Sequence, residues 1–382
     1  MTERLYDLDS FIFDFDATVL SCDKQGDFFV TVLDKTAFFP EGGGQLGDTG
    51  KIGDTEIFDT QENNGNIFHY SKEHITPGSY HCCVDKDIRF RRMQNHTGEH
   101  IISGIVHSLF GYKNVGFHLG KDDMTMDYDK ELSDEDIKKV EFLANKAVCE
   151  DREIKVTFPS PEELEGIDYR SKLDLTENVR IVTIDGVDCC ACCAPHVKST
   201  GMVGMIKIID YIRYKGGMRI HAKCGLDAFD VVSGYQQSVE KLSALFSAKR
   251  HEIYDFALKF TEESAKKDRE IYLLKSKLLE YQIKDIDFSS KNICLFLEDA
   301  DADTMRSAAN KIVENFEGFC VILSGSDENG YRFVLAKKQG GIRSVIKDIN
   351  TSLGGKGGGS DQMATGLYSA SKEDIQKYFE TL

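Results

Sequence analysis

Two short pairs of polar residues leave this chain the least freedom. His96 and His100 stand four apart in Arg91-Arg92-Met93-Gln94-Asn95-His96-Thr97-Gly98-Glu99-His100, and Cys192 and His196 stand four apart in Cys189-Cys190-Ala191-Cys192-Cys193-Ala194-Pro195-His196. The first pair opens an apolar run, Ile101, Ile102, Ile105, Val106, Leu109 and Phe110, at helical spacing. The spacing predicts a core-packed helix that stacks both imidazoles on one face. The second pair sits on a tight turn made by Ala194-Pro195. Three imidazoles and a thiolate form a mixed nitrogen and sulfur set that suits Zn²⁺. If one ion takes all four, the fold must bring a helix and a far-downstream turn to a single point.

The 382 residues are enough for two or three domains, and 41% hydrophobic content is ample for real cores. Eleven cysteines without a secretory leader point to a reducing compartment and to free thiols or metal ligands, so a cytoplasmic, membrane-free protein is expected. The net charge of -17 argues against broad nonspecific nucleic-acid binding, since phosphate contact needs local Lys and Arg. Any RNA partner therefore needs a basic track, for which Arg89, Arg91, Arg92, Lys207, Arg213, Lys215 and Arg219 are the candidates.

From Leu5 to about Ile88 the chain is strand-like, in Phe11–Phe15, Phe28–Leu33 and Tyr80–Val84, and a small β-barrel is expected. Within it, Gly42-Gly43-Gly44 permits positive φ and close backbone approach beside a ligand. From Arg89 to about Tyr214 the pattern is mixed. A strand is expected at Met124–Tyr128, a helix from the N-cap Ser133 to about Glu150, and a strand at Glu153–Phe158. Tyr235 to Gln282 is free of Gly and Pro, with a heptad-like apolar spacing that slips around Glu263 to Lys267. One helix of roughly 70 Å, or a helical hairpin turning at the slip, are both open; so are a spacer role and a dimer coiled coil. The tail alternates strands and helices around Gly354-Gly355-Lys356-Gly357-Gly358-Gly359, whose backbone N–H groups could form an anion-binding nest.

Phe38-Phe39-Pro40-Glu41-Gly42-Gly43-Gly44-Gln45-Leu46-Gly47-Asp48, the HTGEH segment and Cys192-Cys193-Ala194-Pro195-His196-Val197, in this order, resemble the editing domain of alanyl-tRNA synthetase and its freestanding relatives, the AlaX-type alanyl-tRNA editing proteins. The family's CxGTH turn is here CCAPH, which keeps the ligand spacing. The resemblance covers most of residues 1 to about 230, and the tail is similar to the C-terminal domain that the synthetases share with DHH-type phosphoesterases, without the DHH motif. It implies an α+β protein: an N-terminal small β-barrel over 1–88, a zinc-binding α/β editing domain over 89–232, a helical or coiled-coil linker over 233–285, and a C-terminal α/β domain over 286–382.

The resemblance further implies a trans-editing hydrolase that deacylates mischarged alanine tRNA carrying serine, and glycine as a further substrate. Zn²⁺ would sit on His96, His100, Cys192 and His196, with Thr36, Gln45 and His118 as catalytic or selectivity residues. Gly42, Gly43, Gly44, Arg92, Arg213, Lys215, Gly355, Lys356, Gly357 and Gly358 would bind substrate, and the linker and tail would supply a homodimer contact. Whether zinc activates water or only orients the substrate stays open, because four protein ligands would fill a tetrahedral site. Two other readings fit parts of the sequence: a noncatalytic zinc-containing RNA module, and an H-x-x-E-H zinc protease with Glu99 as base. The protease needs a downstream glutamate ligand where this chain has Cys and His. A CxxC redox role for Cys189/Cys192 or Cys190/Cys193 lacks a thioredoxin-like βαβ setting.

Overall fold

A computed structural model describes residues 1–120, 124–171 and 179–382. The chain is mixed α and β and divides into two compact units, Met1–Leu242 and Ser243–Leu382.

In the first unit, six strands close a barrel. They are β1 (Asp14–Gln25), β2 (Phe28–Leu33), β3 (Gly50–Ile52), β4 (Thr55–Asn63), β5 (Asn66–Ser71) and β6 (Gly78–Val84), in the order β1-β2-β5-β4-β3-β6 with β6 paired back on β1. Alternation along each strand sends Phe15, Val19, Leu33, Ile52, Ile57 and Cys82 into its core, where Phe38 joins them. The barrel has its own charged anchor. Arg89, fully buried, donates to Asp48 and to the carbonyls of Ala37 and Ser10, so the segment between Ala37 and Asp48 is clasped onto the next helix.

That helix, α1 (Lys86–Phe110), starts one residue after the barrel ends. The Asp85 side chain caps it by accepting from Ile88 N–H, and Gly111 closes it in the left-handed conformation. It begins more than a turn before Arg91, so Arg89 to Arg92 lie inside it. Met93, Ile101, Ile102 and Val106 pack against β8 (Met124–Tyr128), α2 (Asp134–Cys149) and β13 (Gly217–Cys224) through Met126, Val140, Ala144, Ile220 and Ala222. α2 carries the Ser133/Asp136 capping box that its sequence calls for. β7 (Asn114–Leu119), β8, β12 (Ile206–Tyr214) and β13 make a four-stranded sheet in the order β12-β13-β8-β7. A second sheet of β9 (Ile154–Thr157), β10 (Ile181–Ile184) and β11 (Asp188–Ala191) runs alongside α1. Gly104 makes that approach possible, because a Cβ there would lie 2.3 Å from the carbonyl oxygen of Val187. The contact sets Asp188 beside His100.

α3 (Gly225–Phe246) follows β13 directly. The expected slip around Glu263 to Lys267 does not interrupt the helix. The break falls earlier, where Ser247 has φ 51° and a 3₁₀ turn covers Arg250–Glu252. Phe246 packs its ring 5.7 Å from Phe256 and 5.4 Å from Phe260, so the chain turns there. α4 (Ile253–Lys284) then runs for 32 residues, about 48 Å.

The rest of the second unit is a sheet of β14 (Ile293–Phe296), β15 (Cys320–Ser326), β16 (Gly330–Ala336), β17 (Lys356–Gly359) and β18 (Met363–Tyr368), ordered β14-β15-β16-β18-β17. Helices α5 (Ala302–Val313), α6 (Ile342–Ser352) and α7 (Lys372–Thr381) accompany it, close to the periodicity read from the sequence. The glycine-rich stretch departs from its expected form. Lys356–Gly359 is an extended edge strand paired with β18, so its backbone groups do not converge as a nest. Glycine is needed there for packing: Gly357 and Gly366 pair across the ladder, and a Cβ on either would lie 2.7 or 2.6 Å from the Phe333 ring. That ring stacks flat on Tyr368 at 3.9 Å.

Candidate metal centre and active site

α1 presents His96 and His100 one turn apart, and the turn after β11 brings Cys192 and His196 to the same point. All four ligand atoms lie within 4.8 Å of one another, and His96 Nε2 and His196 Nε2 are each 3.4 Å from Cys192 Sγ. Metal–ligand distances of about 2.0–2.3 Å in a tetrahedron place ligand atoms about 3.3–3.8 Å apart, so the set has the size of a metal site.

Each imidazole is fixed from behind. His96 Nδ1 donates to Gln45 Oε1 at 3.0 Å, His100 Nδ1 donates to Asp188 Oδ2 at 3.0 Å, and His196 Nδ1 meets Thr97 Oγ1 at 2.9 Å. Engaging all three Nδ1 atoms turns the Nε2 atoms toward Cys192, as outer partners of a metal ligand do. Asp188 is gripped by Arg170 through two bonds of 2.6 and 2.8 Å. Burial alone would raise the Asp188 carboxyl; the bonds from His100 and Arg170 outweigh it and keep it below its ordinary range. Arg180 braces the ligand turn by donating to the carbonyls of Cys192 and Ala194 at 2.8 Å each.

Protonation follows the same geometry. Burial pushes His196 down to about 3, so it stays neutral. Burial would raise the Cys192 thiol, but its interactions with the surrounding imidazoles of His96, His196 and His100 hold it well below its usual value. A thiolate and a neutral imidazole are the forms that bind a metal. The donor set, its spacing and its outer partners all fit one.

The glycine loop reaches this centre. Gly44 has φ 82° and a Cβ on it would lie 2.5 Å from the Phe117 carbonyl oxygen, so only glycine lets the loop lie against β7. Gly43 faces the Sγ of Cys193 and the His96 ring, where a Cβ would sit 3.4 and 3.9 Å from them, and Gly42 faces Cys193 as well. Gln45 is fully buried. Its Oε1 holds His96, and among the described residues no acceptor is bonded to its Nε2. Glu99 completes the ring of polar groups. Its Oε1 accepts from Ser103 Oγ and Asn114 Nδ2, both at 2.6 Å, and its Oε2 lies 3.7 Å from His100 Nε2.

The other expected residues are held by contacts of their own. Thr36 is buried in the barrel, where its hydroxyl donates to His69 Nε2 at 2.9 Å and accepts from Phe38 N–H at 3.1 Å, while His69 Nδ1 donates to the Thr31 carbonyl. His118 is exposed. Phe117, its neighbour on β7, packs 4.7 Å from the His96 ring, so strand alternation sends His118 to the opposite face. Arg92 is a brace for the glycine loop, donating to the carbonyls of Leu46 and Gly47.

The basic track is largely neutralised from within. Arg91 pairs with Asp227, Lys207 with Glu141, Arg213 with Glu131 and Arg219 with Asp127, and Arg89 is sealed on Asp48. Lys215 occupies the turn between β12 and β13 with its ammonium 5.0 Å from the Tyr214 ring. In the second unit, Lys356, Gly357 and Gly358 lie on the exposed edge strand, with Gly355 just ahead of it.

Comparison with known proteins then places the chain. It is 30% identical to the alanyl-tRNA editing protein AlaX-L of Pyrococcus horikoshii, over 98% of this chain and 96% of that one. The chain belongs to the AlaX-type alanyl-tRNA editing family. A profile for the second additional domain of threonyl and alanyl tRNA synthetases matches residues 179–222 of this family member, the segment that holds Cys192 and His196. Alanine--tRNA ligases of Methanococcus maripaludis and Natronomonas pharaonis match at 27% and 29% identity over 90% and 94% of the chain. The chain spans only 40% and 42% of those ligases. A solved C-Ala domain of alanyl-tRNA synthetase from Aquifex aeolicus covers 24% of the chain with a TM-score of 0.21, too low to carry a structural argument.

Asp188, Thr97, Arg170 and Arg180 were not read as site residues from the sequence. The one available signal was the position of Asp188, directly before the cysteine cluster.

Proposed function

We propose that this family member is an aminoacyl-tRNA hydrolase that deacylates mischarged alanine tRNA, releasing serine, with glycine as a further substrate. The observation that carries the reading is the buried His96, His100, Cys192 and His196 set with the Gly42–Gln45 loop laid against it. We assign zinc to these four ligands; when bound, it supplies a Lewis acid that polarises the ester or its attacking water.

The chain's own groups divide the remaining work. Deacylation adds water to the ester carbonyl carbon, breaks the bond from that carbon to the ribose oxygen, and delivers a proton to that oxygen. Glu99 Oε2, aimed at the centre by Ser103 and Asn114, takes the proton from water and passes it on. Gln45 Nε2 is a buried donor with no acceptor of its own among the described residues, positioned to stabilise the negative charge that develops on the carbonyl oxygen. Gly43 and Gly42 leave room for the aminoacyl end beside His96, and any side chain there would narrow it.

Selectivity is assigned to Thr36. Its proton is already given to His69, so its hydroxyl can only accept a bond from the serine side chain. An apolar pocket barely separates serine from alanine, so an added acceptor worth about 1.4 kcal/mol, or roughly tenfold, is the expected scale. The tail would hold tRNA through the exposed Lys356 strand, and the exposed Phe256, Phe260, Leu274 and Leu278 of α4 would join two copies.

The test is release of amino acid from Ser-, Gly- and Ala-charged alanine tRNA by purified protein. Hydrolysis of the first two and loss of both activities in His96→Ala/Cys192→Ala are expected. A noncatalytic zinc module is the second reading, favoured by the four-ligand set, since catalytic zinc usually keeps a position open. Full metal content with no release from any charged tRNA would select it.

A further inference from the structure

A second cluster of soft and hard ligands lies on the barrel wall, apart from the centre. Asp14 and Asp16 on β1 stand directly opposite Cys83 and His81 on β6 in the antiparallel register. Phe15 and Cys82 between them face the core, so alternation puts all four side chains on the outer face of the same ladder. His81 Nδ1 donates to Asp16 Oδ1 at 3.0 Å, and its Nε2 lies 3.8 Å from Asp14 Oδ1. The Cys83 thiol bonds to Asp14, which raises it above its ordinary value. Ligand atoms of Asp14, His81 and Cys83 all lie within 4.8 Å of one another.

We propose that Asp14, His81 and Cys83, with Asp16 behind His81, form a second divalent transition-metal site on the barrel surface. Thiolate, imidazole and carboxylate together select Zn²⁺ or its analogue Co²⁺ over Mg²⁺ and Ca²⁺, which want oxygen alone. Asp16 would orient the His81 ring as Gln45 orients His96, leaving Nε2 for the ion. The ladder fixes the ligand backbones in advance, so little chain has to be ordered on binding. The place has structural meaning. β1 and β6 are the first and last strands of the barrel, and their pairing is the seam that closes it. β6 then leads through Asp85 into α1, the helix that carries His96 and His100. An ion there staples the seam directly upstream of the centre, and it stabilises the folded state by mass action.

The experiment is metal counting on the intact chain after apo preparation and titration with Zn²⁺ and Co²⁺, followed by thiolate-to-cobalt absorption and thermal unfolding. The intact chain should take two equivalents per chain. The surface double variant His81→Asn/Cys83→Ser should take one, lose part of the thiolate–cobalt band, and lose the share of the metal-dependent rise in Tm that belongs to the second equivalent. Deacylation by that variant at saturating metal should be retained, which separates this site from the centre. His96→Ala/Cys192→Ala should conversely keep one equivalent with a thiolate band that disappears on adding Cys83→Ser. One equivalent in both the intact chain and the surface variant, or two in both, overturns the proposal.

Discussion

Gln45 offers a way to separate holding the metal from acting on the substrate, because its two amide atoms face different tasks. Oε1 accepts from His96 Nδ1 at 3.0 Å, whereas Nε2 is a fully buried donor with no acceptor of its own among the described residues. Gln45→Leu keeps the bulk and removes both functions. His96 Nδ1–H would then be buried without a partner, and loss of an outer partner lowers metal affinity about 10- to 100-fold, or about 1.4–2.7 kcal/mol. Gln45→Glu restores the acceptor, with a charge that strengthens it, but removes the donor. Metal affinity should match or exceed that of the parent, while kcat falls by about 10²–10³, the usual cost of one lost oxyanion donor. Competition with a chelator of known affinity reports the first quantity, and single-turnover release of serine from charged tRNA reports the second. Parental kcat in Gln45→Glu would refute the donor role, and parental affinity in Gln45→Leu would refute the orienting role.

Four further outcomes follow from the structure. Glu99→Gln should keep the metal and lower kcat about 10²–10⁴-fold, checked by elemental analysis beside the deacylation assay. Thr36→Val should lower the rate on Ser-charged tRNA about tenfold and leave Ala-charged tRNA unaffected; an equal serine-over-alanine preference in both proteins would clear Thr36. Arg89→Met leaves the buried Asp48 carboxylate with only Arg92, 3.6 Å away, as its cation, so denaturant melts should show a loss of about 1.5–3 kcal/mol that Asp48→Asn partly restores. Burial holds His69 at about 4, below its ordinary 6.5. The unfolded chain therefore binds a proton between those values that the folded chain does not, and stability should decline by about 3 kcal/mol as pH falls from 6.5 to 4. His69→Gln should flatten that slope in urea melts collected across the range.

The convergence of His96, His100, Cys192 and His196 was foreshadowed in the sequence because its pattern is local: a pair four apart on a helix and a pair four apart on a turn. The partners that orient it were not. Gln45, Asp188 and Thr97 reach their histidines across 51, 88 and 99 residues, and no spacing rule connects them. The basic track misled for a related reason. Arg89 and Arg219 read as free cations in a list, and only the fold reveals Asp48 and Asp127 against them. His118 followed a motif's neighbourhood without regard to strand alternation, which Phe117 settles. The tail's triple glycine suggested an anion loop, whereas the Phe333 ring demands one of those glycines, Gly357, for packing. The helix break at Ser247 carried no Gly or Pro, so it left no mark in the pattern.

The spacing of the elements along the chain also sets an order of assembly. The strand pairs that close the barrel involve nothing beyond Val84, so it can shut while the downstream chain is still being made. The four ligands cannot meet until His196 exists, and loop closure over that distance is paid late in folding. Contacts that form after the rate-limiting step act on escape from the native state more than on arrival. Stripping the metal should therefore leave the refolding limb of a chevron nearly unchanged and steepen only the speed of unfolding, making the centre a lock on a structure that other contacts have already built.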